Sequence, residues 1–276
     1  MKIFIVGLGL IGASYAEGLK KQGHQIYGYN RTESILDLAI KEGIIENDNH
    51  FEKISEADVI ILGLYPEHNV EFLNKYQSFL REGQLITDVS GTKVWMMEEI
   101  DKIIPEGISY TSHHPMAGKE VSGYHAKDYK IFKKANFVIV KGKKSLENDE
   151  IILRSIAKDL GFGKITVTTP EKHDELIAFT SQLTHVIAVS LVHSDHLEET
   201  KNATGDSYRD LTRIAKINEN MWTELFLENK QALLKKINDF EKELDDLKNL
   251  IKNNDKQSIQ KYLKEAKEKR KQFDEN

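Results

Sequence analysis

Residues 2–12 read KIFIVGLGLIG, an apolar run ending in a G-x-G-x-x-G spacing, and no other stretch narrows the fold as far. The run 3–6 predicts a buried strand. Gly7 permits the tight turn after it, Gly9 lets a ligand come up against bare backbone, and Gly12 lets the next helix pack close to the strand. The helix expected over 11–21 points its unpaired N–H groups and positive dipole end at that turn. This arrangement suits the pyrophosphate of a dinucleotide. Gly7, Leu8, Gly9, Leu10, Ile11 and Gly12 form its cradle.

The 276 residues are enough for one or two domains with a real core. A net charge of −5 gives no general attraction to nucleic acid. Without cysteine there is no disulfide, thiol nucleophile or Cys-based zinc site. Met1 leads straight into a strand rather than a signal peptide, and no apolar run approaches the roughly 20 residues that span a bilayer. A soluble, cytoplasmic protein is the expectation, with no membrane partner.

Strands alternate with helices through the first half. Strands are expected at Gln25–Tyr29, 58–64, 84–89, 109–112, 135–141 and 165–169, with helices at 32–43, 69–80, from the end of the loop 90–93 to 103, and at 148–160. The pattern predicts an α/β doubly wound, Rossmann-type sheet, whose ligands lie beyond the carboxyl ends of the strands. Asn30, Arg31 and Thr32 follow the second strand, where the adenosine ribose sits in such folds. A carboxylate there would repel a 2′-phosphate. Asn30 is neutral and Arg31 is cationic, so NADP is tolerated, while Asn30 can still bond a ribose hydroxyl. NAD and NADP both stay open. Leu64, Tyr65 and Pro66 should lie beside the dinucleotide, and Ser90, Gly91, Thr92 and Lys93 form a predicted site loop. In His113–His114 the side chains cannot face the same way, so one at most is functional.

Character changes at Pro170. Beyond it no strand pattern appears, which places a boundary between domain 1–169 and an all-helical domain 170–276. A long, partly apolar helix is expected over 171–196, another over 206–217, and a third over 220–253. The third carries a heptad-like stripe from Phe226 to Ile251, and Asp255 caps a last helix. A helical half of this kind needs a surface to bury against, so homodimerisation is expected. His185 lies near Ser181 and Gln182. Arg209 and Arg213, four apart, can face one anion, and Asp210 can hold Arg213 in place. Trp222 is a core residue on average. The spacing of His185, His193 and His196 makes a poor metal site, and no G-x-S-x-G elbow supports a hydrolase.

With these residues assembled, the chain resembles the prephenate/arogenate dehydrogenase family of tyrosine biosynthesis. The likeness is carried by residues 7–12 and 88–93, by the H-P-M-A-G run at 114–118, by 181–185, by the run YRDLTRIA at 208–215, and by Met221–Trp222. The resemblance implies a Rossmann-type domain followed by an all-helical dimerisation domain. It also implies oxidative decarboxylation of prephenate to 4-hydroxyphenylpyruvate with NAD or NADP. His114 would take the ring-hydroxyl proton, Arg213 would bind a substrate carboxylate, and His185 would bind substrate. Glu120 would gate or tune the site, with Arg209, Asp210 and Trp222 around the pocket. The family's serine that bonds the catalytic histidine falls at Gly91, so Ser90 or Thr92 must replace it or the contact is lost. Many relatives have a second histidine where Gln182 stands. Neither a following ACT domain nor a preceding chorismate mutase domain is expected.

The alternatives are an arogenate dehydrogenase, a β-hydroxyacid dehydrogenase, which would use a helix lysine instead of His114, and a non-catalytic dinucleotide sensor.

Overall fold

The computed structural model describes residues 1–119 and 121–274. Glu120 lies outside them.

β1 (Lys2–Val6) enters the core directly. Its alternate residues serve two opposite packing layers: Ile3 and Ile5 join one cluster, Phe4 and Val6 the other. A strand covered on both faces has no polar side, which is why it reads as continuous apolar sequence. α1 (Leu10–Lys21), β2 (Gln25–Tyr29), α2 (Glu33–Lys41), β3 (Val59–Leu62), α3 (Pro66–Tyr76), β4 (Leu85–Asp88), α4 (Val94–Ile103) and β5 (Ser109–Pro115) continue the alternation. β6 (Asn136–Lys141), α5 (Glu147–Leu160) and β7 (Lys164–Thr168) complete a sheet of order β2-β1-β3-β4-β5-β6-β7. The Rossmann-type expectation holds.

One departure shapes the site. β6 runs antiparallel to β5, with Thr111 opposite Lys141 and Pro115 opposite Phe137. Among the described residues between them there are only the short 3-10 turns Tyr124–Ala126 and Tyr129–Phe132, not the crossover helix that a parallel return requires. β5 also continues to Pro115, past the expected end at residue 112, so both histidines sit on the strand.

After β7 come α6 (Pro170–Ile177), a π-helical turn (Ala178–Gln182) and α7 (Leu183–His193), one uninterrupted helical run with a turn of wider pitch inside it. By length and composition this run could cross a membrane, with mean hydropathy 1.5 in its most apolar window, 28% of which is buried. No such segment was expected, because polar residues interrupt every contiguous apolar stretch. Those polar residues, His173, Asp174, Gln182 and His185, are the ones the run brings to the site.

α8 (Thr200–Ala203), α9 (Asp206–Thr212) and α10 (Glu219–Glu228) follow. The helix expected over 220–253 breaks at Asn229, whose side chain turns inward to bond the Asp174 carbonyl (2.9 Å) and Gln182 Oε1 (2.8 Å).

Met1–Asn229 form one compact unit and Lys230–Asn276 a second. In the second unit, α11 (Lys230–Lys252) and α12 (Lys256–Lys271) form a hairpin in which Asp255 caps α12 through Ser258 N (3.1 Å). The Tyr262 hydroxyl bonds Glu243 Oε2 (2.9 Å). Phe240, Leu244 and Ile251 of the expected stripe are exposed.

Candidate active site

The carboxyl ends of β1 to β5 open on a cleft of about 1320 Å³. One wall comes from the loops after these strands. The other comes from Ile177 to His185 and from Ile214 to Leu225.

At the dinucleotide end, Gly7 turns with φ 93°. A Cβ on Gly12 would stand 1.9 Å from the Gly7 carbonyl oxygen, whereas one on Gly9 would meet nothing within 4 Å. Gly12 is therefore a packing requirement and Gly9 an opening for a ligand. The N-cap of α1 is Gly9, so no side chain occupies the first N–H groups of the helix. Leu8 and Gly12 are buried and face the core, while Gly7, Gly9, Leu10 and Ile11 line the cleft. Asn30, Arg31, Thr32, Leu64, Tyr65 and Pro66 line it as expected. Asn30 Oδ1 accepts from Leu8 N (3.1 Å) and Nδ2 donates to the Thr32 carbonyl (3.1 Å). Its amide thus ties the glycine turn to the end of β2. Asn218 Nδ2 donates to the Tyr65 hydroxyl (3.2 Å), joining the two walls.

The adjacent histidines diverge, as a strand requires. His113 is fully buried, contacts the Tyr15 hydroxyl (2.9 Å) and Thr87 Oγ1 (2.7 Å), and stacks on Phe137. Burial pulls its imidazole down to about 3, so it is a neutral core group. His114 faces the cleft. Burial, with His173 and Lys93 close by, holds it well below the ordinary imidazole value. Its Nδ1 contacts His173 Nε2 (2.9 Å), and His173 Nδ1 contacts Asp174 Oδ1 (2.7 Å). Asp174 in turn accepts from Lys93 N and Val94 N, both at 2.9 Å, at the start of α4. Below this chain, buried Lys93 Nζ bonds Asp88 Oδ1 and the His113 carbonyl, both at 2.8 Å, fixing the backbone that carries His114.

Ser90 lines the cleft, but its hydroxyl accepts from Asn69 Nδ2 (3.4 Å), and Thr92 donates to Glu228. Among the described residues, neither hydroxyl bonds His114. A histidine from the helical half takes the place expected of a loop hydroxyl.

On the helical wall, His185 stacks on Trp222 with ring centroids 3.8 Å apart and donates from Nδ1 to the Ser181 carbonyl (2.8 Å). Trp222 is half-buried and lines the cleft rather than the core. The π turn sets the phase of this wall, as single wide turns inside helices often do at functional sites. Gln182 is buried and donates to the Leu225 carbonyl (2.7 Å), which locks α10 in place.

The arginines depart from expectation. α9 ends at Thr212 and Arg213 opens a 3-10 turn, so Arg209 and Arg213 do not share one α-helical face. Arg209 pairs with Asp206 at the surface (2.6 Å), and Asp210 is exposed. Arg209, Asp210 and Arg213 are not among the residues lining the cleft, although Ile214, next in the chain, is. Lys216 lines it instead, together with Arg31, Lys75 and Lys119 against the single carboxylate of Glu71 among the described residues. The net positive lining suits an anionic ligand.

Sequence reasoning missed His173, Asp174 and Lys216. His173 and Asp174 lie in the charged N-terminal half of α6, which looks in sequence like any solvated helix start. Among the described residues, no group of three His, Asp or Glu side chains is placed to hold a metal.

Two family models match the chain: "Prephenate dehydrogenase, nucleotide-binding domain" over residues 15–162 and "Prephenate dehydrogenase, dimerization domain" over 169–265. A prephenate dehydrogenase of Lactococcus lactis is 34% identical over 96% of this chain and 75% of its own length. One from Bacillus subtilis is 30% identical over 96% and 74%. Among solved structures, a prephenate dehydrogenase from A. aeolicus in complex with hydroxyphenyl propionate and NAD+ superposes with a TM-score of 0.89. It is 29% identical and covers 99% of this chain and 98% of its own. A Synechocystis arogenate dehydrogenase gives 0.87 at 26% identity, over 99% and 100%. The glycine turn, the cleft histidines and a helical second wall are thus found in a chain whose likeness to these enzymes runs end to end, and it belongs to the prephenate dehydrogenase family.

Proposed function

We propose that the cleft carries out NAD(P)-dependent oxidative decarboxylation of prephenate to 4-hydroxyphenylpyruvate, with His114 as the base. The observation that carries this reading is the placement of His114 in one cleft with the glycine turn, the His185–Trp222 stack and a cationic lining. A non-catalytic sensor would have no need of a neutral imidazole held at that point.

The residues present fit a dinucleotide: open space at Gly9, a close-packed Gly12 and a helix start with free N–H groups. When bound, the dinucleotide supplies the acceptor for hydride from the ring carbon that bears the hydroxyl. His114 takes the hydroxyl proton, for which a neutral imidazole is the right form. The ring carboxylate leaves as CO2, its bonding pair makes the ring aromatic, and His114 returns the proton to the phenolate. The imidazole is regenerated with no net proton gained or lost.

His185 and Trp222 form the wall on which the substrate ring rests. Ser90 lines the floor near His114 without bonding it. Substrate roles for Arg213, Arg209, Asp210 and Glu120 rest on family resemblance alone. The relatives named prephenate dehydrogenase favour prephenate over arogenate. Asn30, being neutral, repels neither dinucleotide, and Arg31 favours the 2′-phosphate.

The same reading divides the chain into a nucleotide-binding part, 1–169, and a helical part, 170–276, through which two copies pair. The dimerization-domain match and the exposed Phe179, Val192 and Leu244 support this. A cytoplasmic location follows from the family alone.

Steady-state kinetics with prephenate and with arogenate, each with NAD and NADP, test the reading. Prephenate turnover with equimolar CO2 and reduced dinucleotide is expected. Bound dinucleotide without reduction would favour the sensor.

A further inference from the structure

We propose that His173 is a positioning residue for the base. It fixes which nitrogen of His114 carries the proton, and it is itself oriented by Asp174. The proposal rests on the assignment of His114 as the proton acceptor, and it goes beyond that assignment in saying how the correct ring form is selected.

Both oxygens of Asp174 already face backbone N–H donors, Oδ1 that of Lys93 and Oδ2 those of Lys93 and Val94. A carboxylate so placed accepts and does not donate. The 2.7 Å contact with His173 Nδ1 is therefore an imidazole N–H donating to Asp174. A neutral imidazole has one N–H, so His173 Nε2 carries a lone pair. The 2.9 Å contact between that nitrogen and His114 Nδ1 then requires the proton to sit on His114 Nδ1. His114 Nε2, which has no protein partner among the described residues, is left unprotonated at the cleft. When it takes a proton, the imidazolium keeps an acceptor at Nδ1 with a carboxylate behind it. A carboxylate orienting a catalytic imidazole does the same work directly in hydrolytic triads, where the wrong tautomer is very costly. Here a second imidazole stands between them.

The neighbours are compatible with a neutral pair. His113 on β5 is neutral, and the Lys93 ammonium, which faces both rings, is bonded to Asp88 on β4. His173 is itself only 2% exposed and does not line the cleft, so it acts through His114 rather than on a ligand.

Two measurements test this. The first is nitrogen-15 NMR of histidine-labelled wild-type protein near neutral pH, which reads the tautomer without any turnover. His114 protonated at Nδ1 and His173 protonated at Nδ1 is the expected result. His114 protonated at Nε2 would overturn the proposal, whatever the kinetics. The second compares His173→Leu with His173→Gln. Leucine removes the acceptor, and kcat should fall about 10²-fold with KM for prephenate within about twofold, at every pH where wild type is active. Glutamine can present a carbonyl oxygen in place of Nε2 and should recover at least about tenfold of that loss. A folded His173→Leu enzyme with kcat within about threefold of wild type would overturn the proposal. If wild type fails to turn over prephenate at all, the assigned reaction falls, and the ring tautomers still decide the positioning.

Discussion

At the glycine turn the strand-built wall of the cleft presents backbone, whereas the helical wall presents side chains. In the first, Gly7, Gly9 and the N–H groups opening α1 are placed by the turn itself, and a missing side chain is the functional feature. In the second, His185, Trp222 and Gln182 matter for what their rings and amides touch, across a π turn and a helix 40 residues further on. His114 belongs to the first wall by position and is oriented from the second, through His173 and Asp174. Binding of the dinucleotide should therefore depend on local backbone shape, and chemistry on packing between the two walls.

The sharpest way to break this contrast is within the glycine turn. In Gly12→Ala the new methyl group would collide with the Gly7 carbonyl, so helix and strand must separate. The expected outcome is loss of dinucleotide binding with a destabilisation of about 3 kcal/mol or more, read by calorimetry. Gly9→Ala has open space around it, so its melting temperature should stay within a few degrees while KM for the dinucleotide rises. Equal effects from the two would contradict the separate tasks assigned to them.

On the helical wall, Trp222→Ala should raise KM for prephenate roughly tenfold and leave dinucleotide KM unchanged, because the His185 stack forms only the substrate end. Arg213→Ala, by its family role in binding a substrate carboxylate, should act in the same sense. A change confined to the dinucleotide would place either residue on the wrong wall.

A smaller effect is expected from pH. Burial lowers His114, so the active, neutral form is already complete below the ordinary imidazole value of about 6.5 and is lost only on further acidification. The acid limb of kcat should therefore lie below about pH 6.5, and a limb above it would mean that a different group limits the rate. The smallest effect should be that of Arg209→Ala. Its partner is the exposed Asp206, so activity should stay within about twofold and stability within about 1 kcal/mol.

These differences also explain what could be read in the sequence. Gly7 and Gly12 are required by a turn and a close approach, both local, so the spacing carries the information without knowledge of the rest of the molecule. The divergence of His113 and His114 follows from strand alternation alone. The reversal of β6 was not legible, because it depends on the described residues between β5 and β6 forming short 3-10 turns in place of a crossover helix. His173 and Asp174 were hidden for a related reason. Their function comes from α6 docking onto β5 and α4, contacts more than 50 residues away in sequence. Arg209 and Arg213 misled in the opposite direction, since a spacing of four implies a shared face only while the α-helix continues, and here it stops at Thr212.

Prephenate turnover by His114→Asn, measured beside its affinity for the dinucleotide, tests the central claim most directly. The expected result is a fall in kcat of about 10³-fold with dinucleotide affinity unchanged, because asparagine removes the proton acceptor and leaves the glycine turn as it was. Normal turnover by this variant would remove His114 from the chemistry and with it the reaction assigned to the cleft.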